Sequence, residues 1–195
     1  MKSLILASSN PGKKAEIEQL LAPLGTRVIT QDELGITEAE EPHETFRENA
    51  LAKARHACLA TRLPALADDS GLCVDALGGA PGVSSARYAG EPRSDERNNQ
   101  KLIAEMSTHE NRRAHYVCVM VLMRGPGDAA PLVAEGRWHG EIARAPRGTG
   151  GFGYDPYFFL PALGKTAAEL APEEKNRLSH RGQAMQKLLE LLKGS

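Results

Sequence analysis

The sequence predicts an α/β fold in which a mixed central β-sheet is flanked by helices. Short apolar runs that are typical of buried strands alternate with segments whose apolar residues recur at helical spacing. At the N-terminus a strand, a polar loop with a glycine and a helix follow one another. Later in the chain two strands are separated only by a short turn, which favours an antiparallel pair and therefore a mixed sheet.

Length and composition are those of an ordinary globular protein. The 195 residues fit one compact domain over residues 1–195, with 41% hydrophobic and 25% charged residues. A net charge of −1 does not indicate a nucleic-acid-binding surface. The three cysteines have no spacing typical of a zinc site or a disulfide framework. We expect a soluble cytoplasmic protein without a membrane-spanning segment.

The elements of the first half follow from the apolar pattern. Strands are expected at residues 4–7, 28–30, 63–67 and 72–77, and helices before Gly25 and at residues 45–60. The strand at 63–67 is expected to end at Asp68 and Asp69, followed by a Ser70–Gly71 turn.

The second half begins with a long loop at residues 78–90, which we expect to be mobile. Ser94 is expected to cap a helix, and strands are expected at residues 115–123, 132–138, 141–142 and 157–159. Residues 165–170 begin a helical C-terminus that restarts at Pro172.

Two adjacent carboxylates, Asp68 and Asp69, follow an apolar run. At the carboxyl end of a strand they would lie where α/β proteins commonly bind ligands. Because two neighbouring acids repel each other and resist desolvation, a divalent cation or a shared proton would stabilise them. The alternative is an exposed Asx turn, and this stretch alone favours neither.

The loop at residues 8–14 precedes a helix and carries lysines, so its amide groups and Lys13 could bind an anion. It is not a Walker A loop, since Ala7 and Lys14 stand where that motif has Gly and Ser or Thr. The alternative is a helix that is only capped by Ser or Asn. Lys53 would be a second phosphate ligand if its helix flank faces the acid pair; otherwise it is solvated.

The stretch at residues 147–156 contains four glycines between Gly148 and Gly153, which let the backbone approach a ligand. A planar base could stack on Phe152 or Tyr154. The alternative is a hairpin bend whose aromatic residues belong to the core.

Six stretches, in order along the chain, resemble the inosine/xanthosine triphosphate pyrophosphatase family, which removes deaminated purine nucleotides. They are residues 8–13, 46–50 with Lys53, 67–72, 78–82 with 85–88, 150–156, and 174–176 with 179–181. The match is closest to the bacterial branch. Ser8 is a departure, because Thr is more usual there, but the hydroxyl is kept.

The resemblance implies a mixed sheet in two lobes with a nucleotide-binding cleft, a homodimer, and dependence on Mg²⁺. It implies hydrolysis of a purine nucleoside triphosphate (dITP, ITP or XTP) between the α- and β-phosphates. The products would be a nucleoside monophosphate and pyrophosphate, and the reaction would keep these nucleotides out of DNA and RNA.

The resemblance also implies the roles of individual residues. Asp69 would be catalytic, since it orients or deprotonates the attacking water. Phe152 would stack on the base, and His180 and Arg181 would contact its polar edge. The metal ligands would come from Glu40, Glu41, Asp68 and Asp69. The substrate-binding set is Ser8, Ser9, Asn10, Pro11, Gly12, Lys13, Lys53, Ser70, Phe152, Gly153, Tyr154, Asp155, Lys175, His180 and Arg181.

Three rival functions remain at this stage. A pyrophosphatase for modified pyrimidine nucleotides is disfavoured by the stretches around Phe152 and His180. A non-catalytic nucleotide-binding module is disfavoured by the intact acid pair. A P-loop kinase is disfavoured by the failed Walker pattern.

Overall fold

A computed structural model describes residues 3–194. Seven strands form one sheet in the order β2-β1-β3-β4-β5-β6-β7. The strands are β1 (Ser3–Leu6), β2 (Arg27–Thr30), β3 (Ala65–Val74), β4 (Arg113–Met123), β5 (Leu132–Ile142), β6 (Phe158–Leu160) and β7 (Lys165–Thr166). β1 pairs in parallel with β2 and with β3, whereas β6 pairs antiparallel with β5 and with β7. The predicted mixed sheet is therefore confirmed.

Three of the described α-helices begin directly after a residue whose side chain caps them. The described α-helices are α1 (Pro11–Leu21), α2 (Phe46–Thr61), α3 (Asp95–Glu105), α4 (Pro172–Leu178) and α5 (His180–Lys193). The side chains of Asn10, Thr45 and Ser94 each accept a hydrogen bond from a backbone N–H in the first turn of α1, α2 and α3. Each cap satisfies an amide that the helix leaves unpaired and fixes where the helix starts.

The chain divides into two compact units, each with its own apolar core. The first unit comprises residues 3–69, 118–136 and 181–194, and the second comprises residues 70–117 and 137–180. The core of the first unit includes Leu6, Ile17, Leu66, Met120, Met185 and Leu188. The core of the second includes Leu72, Leu102, Tyr116, Trp138, Tyr154 and Phe158.

The strand that carries the acid pair does not end there, which corrects the predicted turn. β3 runs without interruption from Ala65 to Val74, so Asp68 and Asp69 lie inside a strand. The alternative of an exposed Asx turn is wrong, since these residues are 0% and 5% exposed. The strand continues because cations from other elements compensate the buried carboxylates, as described below.

The strand predicted to stop before His139 and Gly140 also continues, as β5 from Leu132 to Ile142. A Cβ at Gly140 would lie 2.5 Å from the carbonyl oxygen of Phe159 and 2.8 Å from Cζ of Phe158. Gly140 is therefore not a turn residue, and it lets β6 approach β5 closely.

Two further segments differ from expectation. Residues 78–90 are not an unstructured loop, since a 3₁₀ helix covers Gly82–Arg87 and the buried Asn98 side chain bonds three of the segment's backbone groups. Residues 165–170 are not α-helical. Lys165 and Thr166 pair with β6, and a 3₁₀ turn follows at Ala167–Glu169.

Within residues 3–194, none of the helices is both long enough and apolar enough to cross a bilayer.

Candidate active site

A buried ion network surrounds Asp68 in the first unit. Its Oδ2 atom lies 3.1 Å from Nζ of Lys13, on α1, and 3.0 Å from Nη2 of Arg181, on α5. Arg181 also pairs with Glu16 of α1. Asp68 and Arg181 are both buried, so these charges depend on one another rather than on water for their stabilisation.

The neighbouring cations decide the ionisation of Asp68. Burial alone would raise its pKa, but Lys13 and Arg181 outweigh that effect and hold the pKa well below its usual range. The thiol of Cys118, on β4, lies 3.9 Å from the same carboxylate oxygen. Burial, together with the charge of Asp68, raises the pKa of Cys118, so it is a neutral partner of the network.

Asp69 belongs to a second charge cluster, with Lys53 of α2 and Glu41. Nζ of Lys53 lies 2.8 Å from Oδ1 of Asp69 and 2.9 Å from Oε1 of Glu41. Two carboxylates therefore converge on one position that holds a positive charge. The cation at this position is a lysine, whereas the sequence led us to expect a divalent cation or a shared proton, and the divalent cation stays a prediction.

The other oxygen of Asp69 is available for chemistry. Oδ2 is buried and has no hydrogen-bond partner among residues 3–194. The pKa of Asp69 is raised, mainly because the carboxyl group is buried. The positive charges of Lys53 and Lys13 lower it, and the negative charge of Glu41 raises it, so that burial prevails. A carboxylate with a raised pKa is a stronger proton acceptor than an ordinary aspartate.

The N-terminal loop is both a capped helix start and a set of oriented polar groups. Oδ1 of Asn10 accepts from the Lys13 N–H, and Oγ of Ser8 accepts from the Asn10 N–H. The Ser9 hydroxyl donates to Glu38. Pro11 occupies the first turn of α1 and Gly12 follows it. The predicted helix cap is thus present, and the binding of an anion by this loop stays a prediction.

The residues present fit a divalent cation that is held mainly by substrate. In the part of the chain that the structure describes, no three His, Cys, Asp or Glu side chains group as metal ligands. Mg²⁺ needs fewer, since it commonly takes one or two carboxylates together with phosphate oxygens and water. Glu41 and Asp69 supply such a pair, since Oε1 of Glu41 and Oδ1 of Asp69 both face Nζ of Lys53, whereas Glu40 is exposed and Oδ2 of Asp68 is taken by its ion pairs.

A second cluster, in the second unit, is built on Phe152. Oδ2 of Asp155 accepts from the Phe152 N–H at 2.9 Å and lies 2.6 Å from Nζ of Lys175. The Lys175 ammonium also lies 4.8 Å from the centre of the Phe152 ring. Because Asp155 and Lys175 are buried, this ion pair holds the half-buried ring in a fixed position.

Glycine at position 151 makes that arrangement possible. A Cβ there would lie 2.1 Å from Oδ2 of Asp155, and its φ of +72° is one that side chains rarely adopt. Similarly, a Cβ added at Gly148 would lie 2.6 Å from the backbone of Ala168. Gly148 and Gly151 therefore serve close packing within the protein, whereas a Cβ at Gly153 would meet nothing within 4 Å.

Two of the predicted ligand residues lie in the core of the second unit. Tyr154 is buried, and its hydroxyl donates to the Ser85 carbonyl at 2.7 Å. His180 stacks on Tyr116 with ring centres 4.6 Å apart. The core alternative is right for Tyr154, whereas Phe152 lies outside the core cluster. The contact of His180 and Arg181 with a base edge stays a prediction, as does the role of Ser70.

The sequence reasoning missed Glu16 and Cys118, which complete the surroundings of Arg181 and Asp68. Glu16 lies three residues after Lys13, so both project from one face of α1, and this spacing was a usable signal. Cys118 gave none, because a cysteine in an apolar strand is most often only a core residue.

Comparison with known proteins places these features in a family. The family model described as Ham1 family matches residues 4–191. The chain belongs to the Ham1 family. A dITP/XTP pyrophosphatase of Nitrosomonas europaea is 65% identical over 98% of this chain and 95% of that protein. One of Ralstonia nicotianae is 63% identical over 99% and 98% of the two chains.

Solved structures of Ham1 proteins share the fold. The HAM1 protein of Coxiella burnetii is 49% identical, with a TM-score of 0.91 and full coverage of both chains. The Ham1 protein of Staphylococcus aureus is 42% identical, with a TM-score of 0.87 and 99% coverage of each chain. The family resemblance found in the sequence is confirmed.

Replacing Asp68 by asparagine should destabilise this Ham1 protein strongly. The change leaves Lys13 and Arg181 without their shared counter-charge, and breaking a buried pair typically costs about 3–5 kcal/mol. We expect a loss in that range in the free energy of unfolding, measured by urea denaturation at pH 7.

The loss should depend on pH in a defined direction. Because the folded pKa of Asp68 is depressed, its contribution is complete above the unfolded value of about 4 and disappears as the pH falls towards the folded value. The difference in free energy of unfolding between the natural protein and Asp68→Asn should therefore become smaller below about pH 4. Glu110→Gln is the control, since its pair with Arg144 is exposed. Equal losses in both variants would contradict the account.

Gly151→Ala should weaken the Phe152 cluster. The new methyl group would displace the Asp155 carboxylate, and overpacking of this kind costs about 1–3 kcal/mol. Gly164→Ala is the matched control, since its φ of +66° carries the same backbone strain and nothing lies within 4 Å of the added Cβ. We expect a clearly lower unfolding midpoint for Gly151→Ala than for Gly164→Ala, and identical midpoints would be the contrary result.

Proposed function

We propose that this chain is a nucleoside triphosphate pyrophosphohydrolase for deaminated purine nucleotides. It hydrolyses dITP, ITP and XTP between the α- and β-phosphates, and releases a nucleoside monophosphate and pyrophosphate. The observation that carries this conclusion is that two proteins named dITP/XTP pyrophosphatase are 63–65% identical to it over nearly the whole chain. Such a reaction removes these nucleotides before a polymerase can incorporate them.

The triphosphate is assigned to the first unit. Ser8, Ser9 and Asn10, together with Pro11 and Gly12 in the first turn of α1, form the kind of helix start that binds phosphate oxygens. Lys13 and Lys53 supply positive charge for the same group. Both lysines are held by acidic partners, Asp68 and Asp69, so their ammonium groups are positioned before the substrate arrives.

Mg²⁺ is assigned to Glu41 and Asp69. These two carboxylates converge on one position, and magnesium prefers such oxygen ligands. When bound, the ion would offset the charge of the phosphate oxygens and make a nearby water more acidic. Lys53 pairs with both carboxylates. With a metal ion compensating them, its ammonium group would be available to bond a phosphate oxygen.

Asp69 is assigned to the attacking water. Its buried Oδ2 accepts a proton from the water, while the water oxygen forms a bond to the α-phosphorus. The bond from that phosphorus to the oxygen bridging the β-phosphate breaks, and pyrophosphate leaves with the electron pair. Lys13 and Lys53 stabilise the charge that develops on it. The raised pKa of Asp69 suits a general base.

The base is assigned to the second unit, where Phe152 offers a ring for stacking and Lys175 and Asp155 hold that ring. Hypoxanthine and xanthine carry an acceptor oxygen where adenine carries an amino group. An ammonium next to the stacking ring therefore favours the deaminated bases. His180 and Arg181 remain part of this proposal as contacts to the polar edge, and Gly153 and Ser70 remain part of it as binding residues.

The resemblance alone supports the other parts of the proposal. These are one catalytic domain over residues 1–195, a homodimer and a cytoplasmic location.

Product analysis tests the function. The purified protein is incubated with Mg²⁺ and, separately, dITP, XTP, dGTP and dATP, and the products are separated chromatographically. We expect monophosphate and pyrophosphate, mainly from dITP and XTP. Release of single phosphates would point to a different bond, and turnover of none of the four would overturn the proposal.

Asp69→Asn should abolish turnover and leave the fold intact. Asparagine cannot take the proton from water, and the loss of a general base usually costs about 100-fold or more. Turnover of dITP is measured together with the circular dichroism spectrum. Asp128→Asn, in the turn after β4, is the control and should retain activity. Normal turnover of Asp69→Asn would remove this residue from the mechanism.

A further inference from the structure

The peptide at Gly153, next to Phe152, is held by two side chains from helix α3. The Gly153 N–H donates to Oδ2 of Asp95 at 2.7 Å, and Nδ2 of Asn99 donates to the Gly153 carbonyl at 2.9 Å. Asp95 and Asn99 are four residues apart, so they project from the same face of α3. Both the N–H and the carbonyl group of Gly153 are thus hydrogen-bonded to side chains of α3, which lies more than fifty residues away in sequence.

These contacts fix the backbone on the C-terminal side of Phe152, and Asp155 fixes it on the N-terminal side. Oδ2 of Asp155 accepts from the Phe152 N–H, so the amide groups of two consecutive residues are both occupied. A glycine-rich segment without such contacts would lose much conformational freedom on binding a ligand, and that loss lowers affinity. With them, the ring of Phe152 is positioned before a base arrives.

Helix α3 is a firm support for this purpose. Ser94 caps its first turn, and Leu102 lies in the apolar core of the second unit. The buried Asn98 side chain bonds the backbone of Ser85, Ala86 and Ala89. Because the core fixes the position of α3, the side chains of Asp95 and Asn99 hold Gly153 at a defined position.

We propose that Asp95 and Asn99 are positioning residues that set the base selectivity of the enzyme. They hold Gly153, and through it the Phe152 ring, in one pose for stacking a purine base. At position 2 guanine carries an amino donor, where hypoxanthine carries hydrogen and xanthine an oxygen acceptor. A fixed backbone cannot reorient its polar groups towards that donor, whereas a loosened one can. The inference rests on the proposed function, and it assigns neither residue a part in the phosphate chemistry.

The test compares four variants on dITP and dGTP. Asp95→Ala removes the acceptor for the Gly153 N–H, and Asn99→Leu removes the donor to its carbonyl at similar volume. Asp95→Asn keeps an acceptor oxygen and should rescue the first change. Glu96→Ala is the matched control, because Glu96 is an exposed neighbour whose hydrogen bond is to Gln100 of its own helix.

We expect Asp95→Ala and Asn99→Leu each to raise KM for dITP about fivefold, with little change in kcat, as the loss of one hydrogen bond predicts. The ratio of kcat/KM for dITP over dGTP should fall by a similar factor. Inhibition by inorganic tripolyphosphate, which has no base, should keep its inhibition constant. Asp95→Asn and Glu96→Ala should behave as the natural protein does.

Each contrary outcome is distinct. An unchanged ratio of dITP over dGTP in both Asp95→Ala and Asn99→Leu would overturn the inference and leave the proposed function intact. A parallel loss of tripolyphosphate inhibition would also overturn it, since that result indicates a general structural role. No turnover of dITP by the natural protein would overturn the proposed function and this inference together.

Discussion

The burial of the Asp68 carboxylate between Lys13 and Arg181 is the interaction on which the rest of the structure depends. It joins a lysine of α1, an aspartate in the middle of β3 and an arginine of α5. Desolvation of a carboxylate is so costly that the strand could not contain it without both cations. Because β3 can therefore run through the acid pair, Asp69 is held on a sheet strand and its side chain reaches Lys53. A catalytic group on a strand is more rigidly positioned than one in a turn.

Local signals in the sequence were sufficient for much of the fold. The Ser94 cap, and a Ser or Asn cap for the first helix, could be predicted because each precedes a helical pattern, and the apolar runs predicted most strands. The continuation of β3 could not be predicted locally. Ser70 and Gly71 favour a turn, and the groups that make the strand possible come from distant parts of the chain. Gly140 was misinterpreted for the same reason, since its meaning depends on the strand that packs against it.

The candidate site shows the same division between local and distant information. The acid pair, Lys53 and the glycine-rich stretch were all recognisable as unusual. What sequence could not supply was the partner of each group, for example that Lys175 pairs with Asp155 or that Tyr154 is a core residue while Phe152 is not. Asp95 and Asn99 look like ordinary polar residues on an exposed helix face. Their contacts with Gly153 exist only because the fold brings a remote loop to that helix.

The central claim is that water attacks the α-phosphorus rather than the β-phosphorus. Hydrolysis of dITP in water enriched in oxygen-18, followed by mass spectrometry of both products, tests this claim directly. The account predicts one heavy oxygen in the monophosphate and none in the pyrophosphate, because the new bond is made to the α-phosphorus. A heavy oxygen in pyrophosphate would mean attack at the β-phosphorus and would contradict the account.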